Sequence, residues 1–309
     1  MDNKDKKITI YVMTHQKFTM PTNDPIYVPL HCGAALPDHP KLPYKGDNTG
    51  DNISKRNLNF CELSGQYWAW KNDKDSDIMG LVHYHRFFVN KKHKPLNRQE
   101  VLDVMSKYDC IINGQPYDGP WTDLNADRSN SVYSNYKNCH HGKDFEEITK
   151  IIKRKYPKDY QTFYNETWIG CNDAINNTMI CTREIWNEYS EWLFSIFFEY
   201  DKYIDMHDYD DYNKRVYGFL SERMQRAFMV CRGIKFGSGH LIDTDDNHED
   251  DHHEDEHYEE EYHEELRLIK EEEPPKEEPK VSDIKPYNIK METINSTFSS
   301  YMDKVQFKA

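Results

Sequence analysis

The 309-residue chain contains no run of 18 apolar residues, and its mean hydropathy is −0.97. The sequence therefore predicts no membrane-spanning helix. Residues 1–7 lack the apolar core and the small-residue cleavage site of a signal peptide, and they lead directly into a strand pattern. We expect a cytoplasmic protein, and peripheral contact with a membrane stays open.

The sequence also lacks paired cysteines and basic blocks. Its seven cysteines are odd in number, widely scattered, and never spaced as Cys-x-x-Cys. This excludes a disulfide framework, argues against a zinc site, and favours reduced thiols. No cluster of basic residues is interleaved with aromatic residues, so we expect no nucleic-acid partner.

Acidic charge is concentrated near the C-terminus. Residues 243–280 contain nineteen acidic and four basic side chains, a net charge of −15, so the rest of the chain is nearly neutral at +1. Too few apolar side chains occur there to offset the entropy of ordering, which predicts a disordered acidic, His-rich linker over 242–280. Weak binding of transition metals is the alternative use of its histidines. Residues 281–309 carry apolar side chains at helical spacing and are predicted to form a short helical segment.

The preceding residues, 1–241, alternate between strand and helix patterns, which predicts an α/β domain with a mainly parallel sheet. Strands are expected near 8–12, 78–82 and 109–113, and helices near 145–156, 183–204 and 209–231. A further helix should begin at Asn59, with Glu62 completing a capping box. The aromatic stripe of helix 183–204 is interpreted as core packing.

The strand over 78–82 ends in four polar residues, His83, Tyr84, His85 and Arg86. Ligands bind at the carboxyl ends of strands in open α/β sheets, so this segment predicts a crevice for an anionic ligand. Arg86 offers a planar, permanently charged fork suited to phosphate or carboxylate. On an extended strand His83 and His85 would share one face. The alternative is a plain strand end with a surface cation and one hydrogen-bonded histidine.

Together with its surroundings, this segment resembles a bacterial family called domain of unknown function 4422, whose members are described as capsular or exopolysaccharide glycosyltransferases. Asp51 and Asn52 lie in one matching segment, 49–54, and Glu222 lies in another, 215–223. Other matching segments are 11–15, 27–36, 59–63, 67–72, 133–136, 155–157 and 191–194. The family usually has arginine where this chain has His85.

The resemblance implies a GT-A-like domain that binds a nucleotide-diphosphate sugar. It implies transfer of a hexose, with galactofuranose among the donors considered, to a polysaccharide, glycan or lipid-linked glycan acceptor. The alternative is a non-catalytic nucleotide-sugar-binding or scaffold relative, which His85 and the long acidic tail favour. Thermal stabilisation by nucleotide diphosphates would distinguish the two.

The donor site implied by the resemblance centres on the strand end. Arg86 and His83 are expected near the diphosphate, with Tyr84 as a hydrogen-bond donor and His85 beside them. No Asp-x-Asp motif occupies this strand end, so no cofactor is firmly implied. A divalent metal held through His83 and His85 stays open.

Two further pairs of residues are expected to bind the donor. Thr14 and His15 end the first strand, where a nucleotide base or ribose would lie. Asp51 and Asn52 could hold uridine or ribose hydroxyl groups, and the alternative is a turn that Asp51 caps.

Glu222 is the first candidate for the general base that deprotonates the acceptor, and Asp173 is the second. The alternative for Glu222 is an intrahelical ion pair with Arg226, four residues later.

Three residues are assigned to acceptor binding: His140, His141 and Asn177. His140 and His141 lie in a polar segment, so plain surface exposure is the alternative for both.

Overall fold

Residues 5–114 and 126–244 are described by the computed structural model, and within them nine strands form one sheet. The strands are β1 (Ile8–Thr14), β2 (Tyr27–His31), β3 (Lys45–Gly46), β4 (Ile78–His83), β5 (Arg86–Phe88), β6 (Cys110–Ile112), β7 (Met179–Thr182), β8 (Phe236–Ser238) and β9 (Leu241–Asp243). The main order is β3-β2-β1-β4-β7-β6-β8, and β5 pairs with β4 and β9. The first four strands are parallel, and β7 runs antiparallel to both β4 and β6. The prediction of an α/β fold with a mainly parallel sheet is confirmed.

The helices of the described part are α1 (Asn57–Phe60), α2 (Leu63–Asn72), α3 (Arg98–Met105), α4 (Val132–Cys139), α5 (Gly142–Lys155), α6 (Tyr160–Tyr164), α7 (Arg183–Tyr200) and α8 (Val216–Cys231). The hydroxyl group of Thr182 accepts a hydrogen bond from the backbone N–H of Ile185 at the start of α7. The aromatic stripe of α7 is buried, with Trp186, Tyr189 and Trp192 each no more than 2% exposed. Its interpretation as core packing is confirmed.

Alternation along β1 separates the two faces of the sheet. Tyr11 and Met13 belong to a large apolar cluster that includes α2, α5, α7 and α8. Ile10 and Val12 belong to a second cluster on the opposite face, which includes α3. Successive side chains of a strand point to opposite faces, so one buried strand joins two layers of core. The sheet is thereby fixed on both sides, and the end of β4 is held in a defined place.

The predicted capping box at Asn59 and Glu62 is wrong. Cys61 adopts φ 49° and ψ −131°, which separates α1 from α2. Glu62 is the N-cap residue of α2, but its side chain makes no capping hydrogen bond. Instead, its carboxylate accepts a hydrogen bond from the side-chain amide of Asn177. The break in the helix thus turns a carboxylate toward β7 and α8.

Asp47 organises the long connection between β1 and α1. It is fully buried, and its carboxylate accepts hydrogen bonds from the backbone N–H groups of Gly33 (3.0 Å) and Ala34 (3.1 Å). The hydroxyl group of Ser64 donates a third at 2.6 Å, and that of Ser54 donates a fourth. Charge-assisted hydrogen bonds are stronger than neutral ones, so this carboxylate ties the connection to α2.

Replacing Asp47 by alanine should destabilise the protein by at least about 3 kcal/mol, because two buried N–H groups and two hydroxyl groups lose their acceptor. Chemical denaturation measures this loss. Replacing Asp38, which is exposed, by alanine serves as the control and should change the free energy of unfolding by less than about 0.5 kcal/mol. Equal small effects of both substitutions would contradict the role given to Asp47.

The predicted acidic linker and C-terminal helical segment lie outside the described residues, apart from 242–244. Ile242 and Asp243 belong to the sheet, because β9 pairs with β5. Asp243, which the charge count places in the acidic segment, is therefore a strand residue. In the described part, no helix is both long and apolar enough to cross a membrane. None of the seven cysteines forms a disulfide bond.

Candidate active site

The candidate site begins at a tight turn after β4. His83 pairs with Arg86 across the β4–β5 hairpin, and Tyr84 and His85 form the turn between them. The backbone N–H of Tyr84 also binds the carbonyl oxygen of Met13 at 3.1 Å, so the turn is anchored to β1. The strand face that His83 and His85 would share on an extended chain therefore does not form. The hairpin places His83 and Arg86 side by side at the carboxyl edge of the sheet.

Asn176 connects this turn to α8. Its carbonyl oxygen lies 2.7 Å from Nε2 of His83, and its Oδ1 accepts a hydrogen bond of 2.9 Å from Nη1 of Arg86. Its backbone N–H donates to Oε1 of Glu222 at 3.1 Å. Asn176 has φ 71°, a left-handed conformation that asparagine adopts more readily than most residues. One residue thus aligns three of the predicted site residues.

Glu222 is a buried acid with a raised pKa. Burial, opposed by the guanidinium group of Arg223 and supported by the charges of Glu62 and Asp173, raises its pKa to about 7. Its side chain nevertheless stays 18% exposed, so a ligand can reach it. The intrahelical pair with Arg226 does not form: Glu222 pairs with Arg223, and Arg226 lies 3.2 Å from Glu166. The alternative interpretation of Glu222 is therefore wrong.

Two more carboxyl groups, those of Asp173 and Glu62, act on Glu222 by their charge, and arginines act on all three. Burial raises the pKa of Asp173, and Arg223 lowers it. Burial raises the pKa of Glu62 as well, while the charges of Arg215 and Arg86 lower it. The crevice therefore combines carboxyl groups whose pKa values are raised with fixed positive charge. Such a combination is typical of catalytic sites.

His83 is a neutral hydrogen-bonding group. Burial and the neighbouring Arg86 lower its pKa to about 3, so the ring is neutral, and its Nε2 can donate a hydrogen bond to the carbonyl oxygen of Asn176. The fixed charge of Arg86 remains, with its Nε 3.4 Å from the carboxylate of Asp243. Nε2 of His85 lies 3.9 Å from the same carboxylate. Asp243 therefore faces both side chains.

The end of β1 lies beside this turn. The exposed ring of His15 packs edge-on against the ring of Tyr84, with 5.5 Å between the centroids. The hydroxyl group of Thr14 donates to the carbonyl oxygen of Gln16 at 2.6 Å and shapes the chain as it leaves the strand. The structure thus brings His15 and Tyr84 together, while Thr14 is buried beneath them.

Asp51 and Asn52 lie apart from the crevice. The side-chain amide of Asn72 donates to the carbonyl oxygen of Asp51 at 2.8 Å. Asn72 ends α2 shortly before β4 begins, so this contact lies near the opposite edge of the sheet from His83. Asn52 binds locally, donating to the carbonyl oxygen of Gly50 at 2.8 Å. These contacts fit a turn, but Asn52 caps it rather than Asp51: the Oδ1 of Asn52 accepts from the backbone N–H of Ser54, whereas the carboxylate of Asp51 accepts from the hydroxyl group of Tyr67.

The two adjacent histidines are packed against aromatic rings. His140 stacks on Phe219 with 4.1 Å between the centroids, and burial lowers its pKa to about 4. His141 stacks on Tyr209 at 4.0 Å. Both are half-buried, so plain surface exposure does not describe them. His140 lies beside α8, the helix that carries Glu222.

Asn177 is buried and fully engaged. Its amide nitrogen donates to the carboxylate of Glu62 and to the carbonyl oxygen of Gly218 at 3.1 Å, and its Oδ1 accepts from Ser221. These contacts join Glu62 and β7 to α8. The side chain of Asn177 therefore holds these elements of the site together. This role does not fit the predicted contact with an acceptor.

Among the residues described, no three histidine, cysteine or carboxylate side chains lie close enough to hold a metal ion. The rings of His83 and His85 are 5.9 Å apart and steeply inclined. Arg86, Arg215 and Arg223 supply the positive charge of the crevice. This arrangement suits an anion bound by guanidinium groups.

Removing the side-chain amide of Asn176 tests its linking role. Asn176→Gly and Asn176→Ala should both weaken ligand binding at Arg86, because both lose Oδ1. Only the alanine variant should also lower Tm, since a left-handed backbone costs alanine about 1 kcal/mol relative to glycine. Equal Tm values for the two variants would contradict the constraint on this backbone.

The family described as "Domain of unknown function (DUF4422)" matches residues 9–232. The chain belongs to this family. The matched residues run from β1 to the end of α8, so they include Arg86, Asn176 and Glu222.

One solved structure resembles the chain, the apo structure of the bifunctional glycosyltransferase WbbM. The TM-score is 0.67, the sequence identity is 24%, and the similarity covers 78% of this chain and 46% of the other. This chain thus matches about half the length of that protein, and at this identity the similarity establishes a shared fold. No curated protein matches the sequence.

Proposed function

We propose that this protein transfers a hexose from a nucleotide-diphosphate sugar to a glycan acceptor. The observation that carries the proposal is the link from Arg86 through Asn176 to Glu222. Arg86, a cation suited to phosphate, and Glu222, a carboxyl group with a raised pKa, therefore lie on two sides of Asn176. The fold shared with a glycosyltransferase supports the same reaction class.

In this reaction Glu222 is the general base. A base works best when its pKa lies near the operating pH, and burial raises the pKa of Glu222 to about 7. Its carboxylate would take the proton of the acceptor hydroxyl group as the oxygen attacks the anomeric carbon. The bond from that carbon to the diphosphate then breaks. Asp173, the second candidate, lies close enough to raise the pKa of Glu222 by its charge.

Arg86 would stabilise the leaving diphosphate. A guanidinium group can bind two phosphate oxygens at once, and it offsets the negative charge that develops as the bond breaks. The neutral His83 holds Asn176 in place, and Asn176 in turn orients Arg86. His15 and Tyr84 border the same edge and are the proposed contacts for the nucleotide.

A screen of nucleotide-diphosphate sugars tests this proposal. The purified chain should be stabilised in a thermal-shift assay by at least one nucleoside diphosphate, because a ligand that binds the folded state raises Tm. Product mass spectrometry should then detect transfer from the matching sugar nucleotide to an oligosaccharide. Stabilisation without transfer from any donor would favour a non-catalytic binding protein. No stabilisation by any nucleotide would contradict the proposal.

A further inference from the structure

A depression lies beside α4, and none of its lining residues takes part in the hydrogen bonds of the candidate site described above. It has a volume of about 460 Å³ and is lined by α4, the turn before it, and the segment 164–168. Volumes of roughly 300–1,000 Å³ are usual for small-molecule sites. The proposed function assigns no role to this depression.

Three aromatic rings form one wall of the depression. Tyr133 stacks on Trp168 with 3.8 Å between the ring centroids, and Tyr164 lies nearly parallel to Trp168 at 5.5 Å. Hydrogen bonds to α5 fix two of the rings. Nε1 of Trp168 donates to the hydroxyl group of Thr149 at 2.9 Å, and the hydroxyl group of Tyr133 donates to Glu146 at 2.6 Å. Hydrogen bonds and stacking therefore hold Tyr133 and Trp168 in place without a ligand.

An unusual backbone turn presents Trp168. Residues Asn165–Ile169 form a π-helix, closed by the N–H of Gly170 on the carbonyl oxygen of Asn165 at 2.8 Å. A β-carbon on Gly170 would lie 2.7 Å from the carbonyl oxygen of Glu166, so this turn requires glycine. Isolated π-helical turns are rare and occur frequently at functional sites.

Polar side chains line the rest of the depression. Lys137 and Asn138 are exposed on α4, and Arg128 and Ser134 lie beside them. A sugar ring is complementary to both the aromatic wall and the polar lining. Its C–H groups pack on the negative face of an aromatic ring, and its hydroxyl groups bind amides and cations. The combination fits a carbohydrate better than a fully apolar ligand.

We propose that this depression binds a glycan, namely the inner sugars of the acceptor chain. Helix α4 connects the two sites: the side chain of Asn135 accepts a hydrogen bond of 3.2 Å from Nη2 of Arg223, which pairs with Glu222. A glycan along α4 could therefore reach from the aromatic wall to the base. Its identity as the acceptor rests on the proposed function, whereas glycan binding itself does not.

Binding to an array of bacterial polysaccharide fragments, followed by calorimetric titration of the fragment bound most tightly, tests the proposal. Trp168→Ala and Tyr164→Ala should each weaken binding about tenfold or more, since each removes an aromatic face. Trp168→Phe should retain most of the affinity. Tyr203→Ala, which removes a tyrosine that is 51% exposed elsewhere, is the matched control.

Kinetics with the same variants separates this proposal from the proposed function. The KM for the acceptor should rise, while the KM for the donor and kcat at saturating acceptor stay unchanged. Wild-type binding of glycans without any sugar transfer would overturn the proposed function and support the glycan site. Unchanged glycan affinity in Tyr164→Ala and in Asn138→Ala, both folded, would overturn the glycan site. The absence of glycan binding by the wild type would overturn it as well.

Discussion

Replacing Glu222 by glutamine should lower kcat about 10²–10⁴-fold, the usual contribution of a general base. Glutamine has nearly the same shape, and its side-chain oxygen can still accept the N–H of Asn176, which donates to Glu222 at 3.1 Å. The variant cannot take a proton from the acceptor. Donor affinity should therefore change little, while transfer is lost.

Measuring the stability of Glu222→Gln distinguishes a loss of catalysis from a loss of folded structure. Because the pKa of Glu222 is raised from 4.5 to about 7, the folded state binds more protons than the unfolded state between these values. The contribution of Glu222 to stability is therefore greatest at low pH and falls as pH rises toward 7. Above pH 7 the glutamine variant should be at least as stable as the wild type. A lower Tm at pH 8 would indicate a structural role instead.

The control for this variant is Glu184→Gln, which changes an exposed carboxylate in the first turn of α7. It should leave both kcat and Tm close to the wild-type values. Equal activity of the wild type and of the Glu222 variant would remove Glu222 from the reaction and leave Asp173 as the candidate.

Replacing Arg86 by alanine should cost about 2–4 kcal/mol of transition-state stabilisation, comparable with the loss of a strong electrostatic donor. The ratio kcat/KM should fall accordingly, and affinity for the nucleoside diphosphate should weaken. Arg86→Lys keeps the charge but loses the planar fork, so its activity should lie between that of the wild type and that of Arg86→Ala.

Asp243→Asn is the matched control for Arg86. The carboxylate of Asp243 lies 3.4 Å from Nε of Arg86, so this variant removes the ion pair and keeps the arginine. If Arg86 binds the diphosphate, donor affinity should be retained or should increase in Asp243→Asn. An equal loss of activity in both variants would show that the ion pair serves the fold rather than the donor.

The sequence predicts the strands and helices well where their patterns are local. The buried stripe of α7 and the apolar run of β4 are examples, because burial alone accounts for their spacing. The turn at Tyr84 and His85 is not predicted, because a two-residue hairpin without glycine or asparagine gives no local pattern. Apolar residues resume at Phe87 and Phe88, which are buried in β5, and nothing in the four polar residues before them marks where the chain reverses.

Several site residues depend on tertiary contacts that no spacing reveals. Asn176 is 90 residues from Arg86 and 46 from Glu222. Glu62 is predicted as a helix cap from its local pattern, yet the chain breaks at Cys61 and the carboxylate binds Asn177. Its position within a segment that matches the family is the one sequence feature that could have indicated its place.

The pH dependence of kcat/KM for the donor and acceptor identified by screening tests the central claim most directly. With Glu222 as base, kcat/KM should rise as pH increases through about 7, the pKa to which burial raises this carboxyl group, and then level off. The residual activity of Glu222→Gln should show no such rise. A wild-type profile that is flat or falls between pH 5.5 and 8.5 would contradict the assignment of Glu222 as the general base of this site.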